Sequence, residues 1–307
     1  MIKIRRKIQK ISGSYYLNLP KEWINNRKIN VNQELEIAIL EDGTLRIAPE
    51  IGFSPKFENE KIVLPPEKYV ARQIIRKCLT GAKTIIVQSK DEISSEIKEE
   101  IYKFVKKLPT AEIIDEEKER IEIRNFKYTS VPAKQAIKRM YQLTRNIFTQ
   151  LLEGEYEKIG EYIKDINRFF IVVVIHIRSY LTHDIYSGSK IDHEFLPIDA
   201  LDLRMLADNI QRISSIINLN LTWLEGAPLN PKIKSFAELI KKMFEKAMKS
   251  YFENDSIKAC ETWETYYQLV EKANPLLSEL KDEKSHLIIY NFLRIADYSR
   301  RISDLVP

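Results

Sequence analysis

Glycine and cysteine are scarce in this chain, and each scarcity excludes something. Eight glycines among 307 residues leave little material for phosphate-cradling or catalytic loops. None of the spacings Gly-x-x-x-x-Gly-Lys-Ser/Thr, Gly-x-Ser-x-Gly or His-Glu-x-x-His occurs. A protein without enzymatic activity is the expectation. The two cysteines, Cys78 and Cys260, lie far apart and match no metal or redox spacing, which points to a reducing compartment. Long apolar runs are missing too. The longest, Phe169 to Ile177, is broken by His176 and is too short to span a bilayer. The opening residues alternate with charge and hold no apolar stretch, so no secretory signal and no membrane insertion are expected. A cytoplasmic protein is the expectation.

Acidic residues are absent from the first twenty positions. Lys3, Arg5, Arg6, Lys7 and Lys10 therefore stand uncompensated in sequence, although the whole chain carries only +5. The remaining charge is mixed in sign, as on solvated helix faces. At this length, with 44% hydrophobic and 30% charged residues, two or three soluble domains are expected.

Residues 1–50 read as one small β-rich module. Ile2, Ile4 and Ile8 alternate with Lys3, Arg5 and Lys7, the pattern of a half-buried strand. Ser12-Gly13-Ser14 predicts a turn, Tyr15 to Leu19 a return strand, and Pro20 the first position of a short helix. Leu35, Ile37 and Ile39 predict a further strand, Asp42-Gly43 a tight turn, and Leu45 and Ile47 its return. So few residues bury little core alone, so dimerisation is expected. Residues 51–66, with Gly52, Pro55, Pro65 and Pro66, read as a linker. Residues 67–129 read as a small α/β segment. Its elements are a helix over Glu67–Leu79, a strand over Thr84–Val87, a helix over Asp91–Lys107, and strands over Ala111–Ile114 and Arg120–Ile123.

Residues 130–307 read as all-helical and carry an internal repeat. Leu206-Ala207-Asp208-Asn209-Ile210-Gln211-Arg212-Ile213-Ser214 aligns with Ile295-Ala296-Asp297-Tyr298-Ser299-Arg300-Arg301-Ile302-Ser303, a shift of 89 residues. The seam Leu203, Leu206, Ile210, Ile213 falls opposite Phe292, Ile295, Ser299, Ile302, the stripe of bundled helices. A looser match shifted by 96 places Ile137, Met140, Ile147, Phe148 and Leu151 on Ile233, Phe236, Met243, Phe244 and Ala247. Intervening helices are expected over Glu157–Leu181 and Asp255–Ala273, the second stopped by Asn274-Pro275. Two three-helix units, about 131–222 and 230–307, follow.

Arg6-Lys7, Gly13-Ser14, the junction Leu19-Pro20-Lys21-Glu22-Trp23 and the closing Glu41-Asp42-Gly43-Thr44-Leu45 carry a resemblance. On these residues the N-terminal module resembles the AbrB/SpoVT swapped-hairpin DNA-binding domains. The duplicated Ala-Asp-x-x-x-Arg-Ile-Ser and the helix Asp165-Ile166-Asn167-Arg168-Phe169-Phe170 resemble PhoU, a phosphate-signalling regulator of two triple-helix repeats. The order of parts is similar to archaeal-type AbrB–PhoU fusions and covers nearly the whole chain. The fold so implied is an α+β multidomain protein: an N-terminal swapped-hairpin β-barrel, a small α/β middle segment and an all-α PhoU-like bundle. The resemblance further implies a homodimeric, DNA-binding transcriptional regulator linked to phosphate uptake. Its partners would be duplex DNA, a second copy of itself, and phosphate-transporter or signalling proteins. The other reading is a PhoU-type adaptor that acts through protein contacts without binding DNA.

Lys3, Arg5, Arg6, Lys7 and Lys10 are the candidate phosphate contacts, because backbone neutralisation by lysine and arginine dominates DNA affinity. Ser12, Ser14 and Asn18 are candidate hydrogen-bond donors beside them, or ordinary turn and cap residues. PhoU proteins carry Glu/Asp-x-x-x-Asp metal pairs, since carboxylates one turn apart share a helix face. This chain departs from that pattern, with Arg204 and Leu293 standing before Asp208 and Asp297. No cofactor or metal is expected; Glu161, Asp165, Asp208 and Asp297 are the carboxylates a metal would use. Asp208–Arg212 and Asp297–Arg301 read instead as helix-surface ion pairs. Arg72 and Arg76 are spaced for an anion or for a solvated helix face. Asp184, Asp192, His183 and His193 flank the polar loop Tyr186-Ser187-Gly188-Ser189.

Overall fold

The structure, a computed structural model, describes residues 5–39, 45–49, 61–126, 131–181 and 197–306. The class is α+β: short strands come first, and helices follow. The described residues fall into two units, one up to Pro49 and one from Lys61 onward.

In the first unit, β1 (Gln9–Ile11) and β2 (Ser14–Tyr16) form an antiparallel hairpin with Gln9 opposite Tyr16, Lys10 opposite Tyr15 and Ile11 opposite Ser14. The loop is Ser12-Gly13 alone, and both residues have positive φ, 48° and 89°. Such a turn matches the twist of the strands it joins. The strand predicted from the first residues starts later than expected. Residues 5–8 belong to no strand and are exposed, so their alternation does not sort them onto two sheet faces. Pro20 caps the short helix α1 (Lys21–Asn26) rather than opening it, and its carbonyl accepts from the Ile24 amide at 3.1 Å. β3 (Leu35–Ile39) and β4 (Leu45–Pro49) pair as a second hairpin, Ile37 facing Ile47 and Ile39 facing Leu45. The Asp42-Gly43 turn lies outside the described residues. No described side chain of this unit is buried: Ile8 is 69% exposed, Tyr15 72% and Ile39 79%.

The second unit begins inside the stretch expected to be linker. β5 (Lys61–Leu64) pairs in parallel with β6 (Thr84–Gln88), because Ile62 and Leu64 alternate with exposed Lys61 and Val63 and complete a sheet edge. Two prolines follow, so composition pointed to a linker where a strand forms. The sheet order is β5-β6-β8-β7, with β7 (Ala111–Glu116) and β8 (Arg120–Asn125) antiparallel. Helices α2 (Val70–Leu79) and α3 (Ser95–Val105) cover one face through Val70, Ile74, Ile101 and Val105 against Ile85, Val87, Ile121 and Ile123. Asn125 ties the sheet to the end of α2, its amide donating to the Cys78 and Ala82 carbonyls at 3.0 and 2.9 Å.

Six long helices follow: α4 (Ala133–Glu153), α5 (Ile159–Ser179), α6 (Pro197–Leu224), α7 (Pro231–Glu253), α8 (Ser256–Glu279) and α9 (Glu283–Ser303). Within α4–α6, and again within α7–α9, every helix packs on the other two. All eight residues of the 89-residue seam and all ten of the 96-residue match are buried. α8 runs through Asn274-Pro275 to Glu279 instead of stopping there. Proline removes one backbone bond, but Leu269 and Ala273 are anchored in the core and the Leu280 amide still reaches the Leu276 carbonyl at 2.9 Å.

The two repeats meet through equivalent helices. Phe148 of α4 lies 5.8 Å from its own repeat counterpart, Phe244 of α7. Beside them Arg145 donates to Glu245, and Lys241 donates to Thr149, both at 2.9 Å. The 96-residue shift exchanges these two contacts, so a pseudo-two-fold axis passes between the phenylalanines. α6 and α9 pack antiparallel, since Arg212 meets Tyr298 while the later Asn220 meets the earlier Asn291.

In that buried bond the Asn291 amide nitrogen donates to the Asn220 Oδ1 at 2.9 Å, while the Asn220 amide nitrogen has no partner among the described residues. Asn291→Leu alone should strand the Asn220 amide and cost about 1–3 kcal/mol. Asn220→Leu/Asn291→Leu should recover most of that loss, as urea denaturation would measure.

Candidate nucleic-acid interface

The β1–β2 hairpin is held by its tight turn rather than by a core. With only Ser12 and Gly13 in the loop, Lys10 falls directly opposite Tyr15, and its ammonium lies 5.6 Å from the ring centre. Arg5, Arg6 and Lys7 lead into β1 and are exposed. Among the described residues none forms an ion pair with Arg5, Arg6, Lys7 or Lys10. Lys3 lies outside the described residues. Ser12 stands at the tip of the turn, Ser14 opens the return strand, and Asn18 is exposed between β2 and α1. The hairpin thus gathers Lys10, Ser12 and Ser14 at one end, with Arg5–Lys7 on its incoming arm and Asn18 beyond its return.

Tyr15 was missed as a site residue. It is an exposed aromatic beside a cation, able to stack on a base or sugar, and counting back from a two-residue turn would have found it. Taking Ser12-Gly13-Ser14 as the turn hid the pairing.

The carboxylates considered for metal are otherwise engaged or dispersed. Asp208 receives Arg212 at 2.6 Å and Arg204 at 3.8 Å. Asp297 receives Arg300 and Arg301, each at 2.9 Å. Glu161 and Asp165 are exposed on α5. Among the described residues no three metal-ligand side chains converge. Arg204 packs 4.6 Å above Phe170, and its burial holds the guanidinium below its ordinary pKa. A groove of about 390 Å³ between α4 and α7 carries Lys234, Lys241 and Lys242 against Glu153, Glu238 and Glu245. Equal numbers of each sign give it no preference for an anion. Cys78 is buried, which pushes its thiol up to about 12. The polar loop with His183, Asp184, Asp192 and His193 lies outside the described residues.

No family model, curated protein or solved structure matches this chain. Function is therefore argued from the residues. Among the described residues no helix is long and apolar enough to cross a membrane.

Proposed function

We propose that this protein is a homodimeric DNA-binding regulator that grips duplex DNA through its basic N-terminal hairpin. The observation that carries the reading is the set Arg5, Arg6, Lys7 and Lys10 around a tight turn, exposed and without an acidic partner among the described residues. A surface of that kind is matched to phosphate oxygens, and its neutralising contacts release counterions from the duplex. Dimerisation is supported by the uncovered apolar residues of the same unit, among them Ile37, Ile39 and Leu45. Unburied hairpins of this size are marginal in water, and a second copy would supply the missing core. Interleaving of the two hairpin pairs into one barrel, and a PhoU-like role for the duplicated bundle in phosphate uptake, rest on the resemblance of their motifs.

The adaptor reading is favoured by one observation. Tyr267 is about half exposed on α8, its ring 6.1 Å from Trp263, over which Arg300 stacks, and aromatic and arginine residues are enriched where proteins dock. Deletion of residues 1–50 separates the two. The regulator loses all binding to duplex DNA in gel-shift assays and keeps its helical fold. Equal shifts with and without the deletion would overturn the reading.

A further inference from the structure

α2 carries a charge pattern that its own stability does not explain. Glu67 is the one acidic residue from Lys61 to Gly81, against Lys61, Lys68, Arg72, Arg76 and Lys77. Val70, Ala71, Ile74 and Cys78 turn inward and are buried. Lys68, Arg72 and Arg76 are exposed on the outer side, and no described residue forms an ion pair with them. Tyr69 caps the helix in the left-handed region, φ 71°, and is 52% exposed. The Lys68 ammonium and the Arg72 guanidinium both lie over its ring, at 5.0 and 5.5 Å. Arg76 follows Arg72 by one helical turn.

Three of these choices are locally unfavourable, whereas Arg76 in the last turn suits the helix dipole. Like charges one turn apart repel, a cation in the first turn opposes the helix dipole, and a bulky residue at positive φ is strained. Such conflicts gathered on one exposed face mark a surface selected for something other than folding.

We propose that Lys68, Tyr69, Arg72 and Arg76 form a second contact surface for duplex DNA, separate from the hairpin. The inference rests on the DNA-binding reading above. Charge complementarity selects a polyanion. The chain itself selects DNA: α2 starts only 21 residues after β4 ends at Pro49, so DNA held by the hairpin is presented to α2 at high effective concentration. The surface offers guanidinium and ammonium groups beside an aromatic ring and no ordered base-reading set, so it grips backbone phosphate without choosing sequence.

The test uses the full chain, a long mixed-sequence duplex and fluorescence anisotropy across a salt series. Lys68→Gln/Arg72→Gln/Arg76→Gln should weaken binding about tenfold or more and make the log–log salt slope shallower by about 2.7 for each engaged chain. Its thermal midpoint should be unchanged or higher, because repulsion is relieved. Three outcomes overturn the proposal. If the triple variant binds like the parent while Arg5→Ala/Lys7→Ala does not, α2 is not a contact and the hairpin reading stands. If the parent binds no duplex at all, both readings fall. If the triple variant loses only binding to phosphatidylserine vesicles, the surface faces a membrane. Loss of binding in the triple variant but not in Arg5→Ala/Lys7→Ala keeps this surface and removes the hairpin.

Discussion

Arg5→Ala/Lys7→Ala should abolish the gel shift of duplex DNA while leaving the dimer and the helical signal intact. Both side chains are exposed and take part in no ion pair with a described residue, so their loss breaks no ion pair among the described residues. In the proposed dimer the hairpins neutralise about six phosphates, which contributes about −5 to the log–log salt slope, with the α2 surfaces adding to it. Removing two cations from each chain should make the slope shallower by about 3.6. Affinity at moderate salt should fall by about a hundredfold or more. Lysine at position 5 and arginine at position 7 should restore most of it, because the contact is one of charge. Unchanged affinity in the alanine variant would remove the hairpin from the interface.

The second large effect is expected at the pseudo-two-fold axis of the bundle. Phe244→Ala should destabilise the helical unit by about 3–5 kcal/mol, the range for emptying a buried aromatic site. Phe244 is fully buried, lies 5.8 Å from Phe148 and meets Tyr141 edge-on at 5.7 Å. Both repeats lose packing at once, since each phenylalanine fills the other's surroundings. The double variant Phe148→Ala/Phe244→Ala should therefore cost less than the two single losses added, by about 0.5–3 kcal/mol. Urea denaturation followed by far-ultraviolet circular dichroism measures all three. A single-variant loss below about 1 kcal/mol would show that the axis is not a packing centre.

Much of the bundle was legible because helical periodicity survives averaging over many turns. The seams at 89 and 96 residues named eighteen positions, and each is buried. The ion pairs Asp208–Arg212 and Asp297–Arg301 were legible for the same reason, four residues being one helical turn. Short elements were harder. Lys61–Leu64 alternates over only four residues ahead of two prolines, too short a run to mark a strand before β6 lies beside it. Pro275 was read as a stop, yet α8 continues through it, because buried neighbours outweigh one lost hydrogen bond. The first hairpin was legible at its turn, but its leading strand starts at Gln9 rather than among the first residues, and its return ends at Tyr16 rather than Leu19. One residue of error in its turn concealed the Lys10–Tyr15 pair.

The amino-acid sequence by itself determined where charge accumulates, which helix faces are apolar and that the helical part is a duplication. These are properties of residue type and spacing, and they hold whatever the chain packs against. Tertiary structure alone decided which surfaces remain open. It joined the repeats through Phe148 and Phe244 and left Lys68, Arg72 and Arg76 without an acidic partner among the described residues. Whether a charge is used or spare depends on neighbours distant in the chain, and only folding brings those neighbours together.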